Sequence, residues 1–90
     1  MPYSIEIMPH AGRQMKGLPE HIRERLDAAI GELVGNPRPP GCLKLHAEEN
    51  AWRIRVGEYR VIYEIHDKVL LVVVIRVEHR STVYRRSPCS

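Results

Sequence analysis

Ninety residues, 43% hydrophobic and 28% charged, describe one globular domain over residues 1–90 and exclude both a disordered chain and a second domain. The longest apolar run, 69–75, is too short to span a membrane, and the opening Met1-Pro2-Tyr3-Ser4-Ile5-Glu6 is neither a signal nor a transit peptide; a cytoplasmic protein with no membrane partner is expected. A net charge of +3 and a pI of about 9.1 give only a mild bias toward polyanions.

Tyr3, Ile5 and Ile7 alternate with Ser4, Glu6 and Met8 at the period of a half-buried strand, which Pro9 stops. Ala11, Met15 and Leu18 recur at helical spacing, so a short helix ending near Gly17 is predicted. Pro19 suits the first turn of a second helix, with Glu20 near the positive end of its dipole. In that helix Ile22, Leu26, Ala29, Ile30 and Leu33 form one stripe, while Arg23, Glu24, Asp27 and Glu32 face outward. Gly35-Asn36-Pro37 ends it, and a stiff surface loop is expected from Pro37 to Gly41.

From Cys42 the pattern turns to strands: a short one from Cys42 to His46, then a polar turn from Ala47 to Asn50. Trp52, Ile54 and Val56 alternate with Arg53 and Arg55; Tyr59, Val61, Tyr63 and Ile65 alternate with Arg60, Ile62 and Glu64. Gly57-Glu58 between them fits a two-residue loop with glycine first, as a type II′ turn requires. Asp67-Lys68 turns the chain again, and 69–77 is apolar on both faces, the pattern of a central, covered strand. The expected fold class is α+β: a small antiparallel meander sheet with an N-terminal strand and two helices on one face. Cys42 and Cys89 have neither metal-ligand nor CxxC spacing, so no metal and no cofactor is expected. A reducing compartment disfavours a disulfide between them, and the tail from about residue 86 is expected to be flexible.

The hairpin has a consequence for charge. If Gly57-Glu58 is its loop, Arg55 lies directly across from Arg60, with Arg53 two positions along on the same face. Like charges opposed across a ladder repel, and Glu64 alone is at hand to offset them. Arg53, Arg55, Arg60, Arg76, Arg80, Arg85 and Arg86 all lie beyond residue 50, and guanidinium binds phosphate in a bidentate fork. A phosphate-rich nucleic acid is the simplest absent partner; a merely solvated sheet face is the plain alternative. Downstream, Arg80 and Tyr84 are four apart, so one helical turn would set them side by side, and positive neighbours would favour the phenolate of Tyr84.

The stretch Trp52-Arg53-Ile54-Arg55-Val56-Gly57-Glu58-Tyr59-Arg60-Val61-Ile62-Tyr63-Glu64, followed by an apolar strand and then His79-Arg80 with Tyr84, resembles the RelE/ParE toxin superfamily. The N-terminal half agrees, with a strand, two helices, the Asn36-Pro37 loop and Leu43-Lys44-Leu45, so the resemblance covers residues 2 to 85. It implies a RelE-like fold and the toxin of a type II toxin–antitoxin system. In the ribonuclease branch the toxin cleaves mRNA in the ribosomal A site by attack of the ribose 2′-OH on the scissile phosphate. Carried over by motif, Arg53, Arg55 and Lys44 would hold RNA phosphates, where the branch uses lysines at the two arginine positions. Arg60 would stabilise the transition state, Arg80 would serve the leaving oxygen, and Tyr84 would be the general base. Arginine does not give up a proton at useful pH, so an acid role falls to another group: His79, or else His46 or Glu49. The implied partners are an adjacently encoded acidic antitoxin, the ribosome and mRNA. Two other readings share the fold: a ParE-like gyrase inhibitor without nuclease activity, and an inactive antitoxin-binding module.

Overall fold

The computed structural model describes residues 2–46 and 48–81. Its elements run β1 (Ser4–Ile7), α1 (Pro9–Lys16), α2 (Glu20–Glu32), β2 (Leu43–Lys44), β3 (Ala51–Val56), β4 (Tyr59–His66), a 3-10 turn (Asp67–Val69) and β5 (Leu71–His79). The strands form one sheet in the order β1-β5-β4-β3-β2. Every pairing is antiparallel except β1 on β5, which is parallel. The α1–α2 pair lies between β1 and the meander in sequence and packs on one face of the sheet. The α+β expectation therefore holds, with one parallel edge added.

Pro9 ends β1 and opens α1, where its missing N–H costs nothing. Pro19 caps α2 from just outside, its carbonyl accepting the N–H groups of Ile22 and Arg23 at 3.0 Å each. The predicted stripe of α2 supplies Leu26, Ile30 and Leu33, which meet Ala11 and Met15 of α1 over Ile54, Val61, Tyr63, Ile65, Val72, Val74 and Val77. Tyr63 is fully buried, and its hydroxyl donates to the Pro37 carbonyl at 2.7 Å, fastening the proline loop to the sheet. Burial pushes that phenol well above its ordinary pKa. A second fastening lies at the chain's start. Asp67 accepts from the Tyr3 hydroxyl at 2.6 Å and from both Arg38 terminal nitrogens at 3.2 and 2.9 Å.

The Gly57-Glu58 hairpin forms as the sequence predicts, pairing Val56 with Tyr59 and Arg55 with Arg60. Gly57 has φ 61°, while Glu58 is not among the described residues with positive φ, the signature of a type II′ turn. A Cβ on Gly57 would also press on the Arg25 guanidinium, 3.2 Å away.

Three expectations need correction. The first expected strand beyond Gly41 shrinks to Leu43–Lys44. The last strand begins at Leu71 rather than Val69, because Leu70 adopts left-handed φ 52° and its N–H closes on the Asp67 carbonyl; Val69 is left 67% exposed. That strand also runs on to His79, and although it lies inside the sheet between β1 and β4 it is not covered on both faces: α1 and α2 lie on one side, leaving Leu71, Val73 and Ile75 half-buried on the other. Within β5 the pairing jumps from Tyr63–Val74 to Ile62–Arg76, so Ile75 is an extra, bulged residue.

Candidate nucleic-acid interface

Alternation along β3 and β4 separates two faces. Trp52, Ile54, Val56, Tyr59, Val61 and Tyr63 turn to the helices. Arg53, Arg55 and Arg60 turn to the open face, where Arg55 and Arg60 are direct cross-strand partners. The Arg53 guanidinium is held below its ordinary pKa, first by partial burial and then by the positive charges of Arg60 and Arg55. The three guanidiniums thus feel one another, and a bound anion would relieve that field.

At the hairpin end this face opens into a cleft of about 260 Å³ lined by Arg55, Gly57, Glu58, Tyr59, Arg60 and Arg80. Arg80 reaches it because its backbone N–H donates to the Glu58 carbonyl at 2.8 Å, tying the start of the C-terminal segment to the hairpin loop. Its Nη1 lies 3.8 Å from Glu58 Oε1, a solvent-exposed ion pair of little energetic weight. The cleft is therefore a cationic pocket with one carboxylate at its rim.

The open face carries more acid than the sequence suggests. Glu78 lies opposite Arg60, and Arg76 lies opposite Ile62. Arg76 is bound by Glu48 at 2.6 and 3.2 Å and by Glu78 at 2.8 Å, and these carboxylates raise its pKa further. Glu64 is held by His66 at 2.9 Å. Arg76 is thus an internal strut that brings the β2–β3 loop over the sheet, whereas Arg53, Arg55 and Arg60 have no carboxylate paired with them among the described residues.

Two expected site residues point elsewhere. Lys44 pairs with Trp52 and so turns to the opposite face from Arg53, with Nζ 5.9 Å from the Trp52 ring, which Arg38 also overlies at 5.0 Å. His79 pairs with Tyr59 inside β5 and packs edge-on against its ring at 4.9 Å, on the helix side. Its Nδ1 accepts the Ser81 N–H at 3.1 Å, which places the proton of the neutral ring on Nε2, 3.8 Å from Glu58 Oε2. His79 thus borders the cleft through Glu58 without facing Arg60. His46 and Glu49 are exposed in the β2–β3 loop and do not line the cleft. Tyr84, Arg85, Arg86 and Cys89 lie outside the described residues, and with them the predicted Arg80–Tyr84 turn and any test of a disulfide; Cys42 is half-buried. No cluster of metal-ligating side chains occurs among the described residues. Glu58, which lines the cleft, and Arg76 with Glu48, which brace the open face, are the residues that sequence reasoning missed. For Glu58 a signal existed: it occupies the hairpin loop one residue before Tyr59.

A mixed five-stranded sheet with a helical pair on one face and a guanidinium cluster on the other defines a class of small α+β domains with a cationic open face. Comparison with known proteins narrows this. The family described as the ParE toxin of type II toxin–antitoxin systems matches residues 5–84, and the chain belongs to that family, within the RelE/ParE toxin superfamily. It is 35% identical over 89 residues to the toxin RelE of Mycobacterium tuberculosis, spanning 98% of this chain and 92% of that one. It is 28% identical over 94 residues to the mRNA interferase toxin RelE of Escherichia coli K12, spanning 93% and 92%. The archaeal RelE–RelB complex from Pyrococcus horikoshii contains a chain of the same fold, with TM-score 0.79, 25% identity and coverage of 89% and 97%.

Proposed function

We propose that this toxin is a ribosome-dependent mRNA endoribonuclease. The observation that carries the reading is the cluster of Arg53, Arg55 and Arg60 on one open face, continued by Arg80 into one cleft. In the reaction a new bond forms between the ribose 2′-oxygen and phosphorus while the bond from phosphorus to the 5′-oxygen breaks. The 2′-OH proton goes to a base, and the leaving oxygen takes up a proton, giving a cyclic phosphate and a 5′-hydroxyl. Arg53 and Arg55 hold the flanking phosphates. Arg60 faces the charge that develops on the phosphoryl oxygens, and Arg80 stabilises the leaving oxygen. Preorganised donors of this kind lower the barrier most where charge grows in the transition state. Tyr84 is the proposed base. His79 is the alternative titratable group, acting past Glu58.

Among the described residues the cleft is rich in phosphate-binding groups and poor in acid–base groups, so substrate positioning must come from elsewhere, and the ribosome supplies it. The cytoplasm is where ribosome and message meet. The neutralising partner is an acidic antitoxin, in keeping with the RelE–RelB assembly of the archaeal neighbour. The test is to induce the protein and map 5′-hydroxyl ends of cellular mRNA, then repeat with purified message with and without ribosomes. Ends that appear only with ribosomes support the reading; rapid cutting of free RNA contradicts it. The matching family profile bears the ParE name, so plasmid supercoiling is measured in the same cells. Relaxed plasmid with intact message would favour the gyrase-directed alternative.

A further inference from the structure

We infer that a second cleft, between α1 and the outer end of β5, receives a nucleobase of the RNA whose phosphate lies against Arg55, Arg60 and Arg80. The inference rests on the ribonuclease reading and adds a base-reading subsite to it. This cleft measures about 270 Å³, and its walls include His10, Gln14, Leu18, Tyr59, Val77 and His79. It exists because β1 stops at Ile7, opposite Val74, so the outer edge of β5 beyond that point meets a helix instead of a strand. The N–H of Val77 is taken by Gln14 Oε1 at 2.8 Å. That bond orients the Gln14 amide and leaves its NH₂ end as the donor.

The walls match the chemistry of a flat heteroaromatic ring. The Tyr59 and His79 rings, 4.9 Å apart at 75°, give an aromatic side, and Leu18 adds an apolar one. Gln14 Nε2 and the exposed His10 ring, in the first turn of α1, offer polar handles for a base edge. Single-stranded RNA is read in this way, by unstacking a base against aromatic side chains and hydrogen-bonding its edge. The volume lies below the roughly 300–1,000 Å³ typical of drug-sized sites and suits one ring system. Arg76, which also borders this cleft, is saturated by Glu48 and Glu78, so a phosphate has no claim here.

Tyr59 bounds both clefts. Because Tyr59 and Arg60 are consecutive strand residues, one turns to the helix side and the other to the open face. A phosphate at the arginines and the base next to it would straddle the end of the β4–β5 ladder. Guanidinium contacts to phosphate carry no sequence information, whereas a base pocket does. His10 and Gln14 are thus assigned as specificity-determining residues.

The test separates this subsite from the cleavage chemistry. The ¹⁵N-labelled full chain is titrated with the deoxydinucleotide d(ApG), which has one phosphate, two bases and no 2′-OH to react. Amide shifts at Gln14, Tyr59 and Val77 together with Arg55 and Arg60 are expected. His10→Trp, which fills the cleft from an exposed helical position, should abolish the shifts at Gln14 and Val77. Shifts at the arginines alone in the unmodified chain would overturn the base subsite and leave the phosphate cleft standing. Shifts at neither, with millimolar ligand, would remove both. In the ribosome assay, His10→Trp should alter the ratio of cutting at the best and poorest nucleotides by about five-fold or more. An unchanged distribution in a variant that still cuts also overturns the inference.

Discussion

Replacing Arg55 by Thr should make the protein more stable and less active at once. Arg55 and Arg60 face each other across the β3–β4 ladder, and beside them the Arg53 pKa is lowered, first by burial and then by the charges of Arg60 and Arg55. Like-charged cross-strand pairs destabilise by roughly 0.2–1 kcal/mol, and the exposure of Arg55 argues for the lower half of that range once solvent screening is counted. Thr is itself well suited to a strand. A gain of about 0.5 kcal/mol corresponds to a rise in Tm of about 2–4 °C for a domain of this size. The assay is thermal unfolding followed by circular dichroism, at low salt and again near 1 M NaCl. There the Debye length falls to about 3 Å and the gap between variant and parent should narrow. Inorganic phosphate should raise the parent's Tm more than the variant's, since it binds the folded arginine cluster. A variant that melts below its parent at low salt would refute the reasoning, for the arginines would then be contributing packing and not repulsion.

Four further outcomes are expected. Arg60→Ala, Arg80→Ala and Tyr84→Phe should each lower single-turnover cleavage on the ribosome, by about 10²–10³-fold if one transition-state donor is lost; full toxicity of all three at equal expression would refute the assigned roles. Tyr63→Phe leaves the Pro37 carbonyl without its buried donor and should cost about 1–3 kcal/mol in urea denaturation, with little effect on initial cleavage rate. Arg38 and Tyr3 pull the Asp67 carboxyl down to about 2 from an ordinary 3.8, so its contribution to stability is complete above the unfolded value and is lost as pH falls from there through about 2; Asp67→Asn should flatten that acid limb of the stability curve. Association with the antitoxin proposed above should slow as salt rises, and a rate flat from low to high salt in stopped-flow mixing would remove the arginine face from the encounter.

The parts of this molecule legible in its sequence are those governed by local rules. Gly57 announces the hairpin because only a positive φ closes a two-residue loop there, and period two then forces Arg55 onto Arg60. The α2 stripe is likewise a matter of spacing. What stayed hidden depends on distant partners. The parallel placement of β1 beside β5 follows from how two helices carry the chain across, which residues 3–8 do not encode. Arg76 reads as one more phosphate ligand until Glu48, far back in the chain, is found against it. Lys44 misleads for a smaller reason: in a two-residue strand, a shift of one position decides the face, and pairing with Trp52 puts its side chain with the helices. His79 misleads because the apolar run ends at Val77 while the ladder continues to His79 opposite Tyr59.

The extra residue at Ile75 divides β5 into two phrases that are out of step. In the first, Val72 and Val74 point inward beside β1; in the second, Val77 points inward, while Arg76 and Glu78 reach the open face. An unbroken alternation would have sent Arg76 into the core and Val77 to the surface. The bulge therefore works as a phase reset, letting a scaffold-building half and a site-building half share one strand without sharing one rhythm. It follows that the bulge, and not the strand's length, sets the facing of 76–79. Removing Ile75 itself would join Val74 to Arg76 in plain alternation with Arg76 still on the open face, whereas flattening the bulge with all its residues kept would send Arg76 inward and away from its carboxylates. Side-chain changes within the second phrase, by contrast, can retune the arginine face while the valines of the first keep their places.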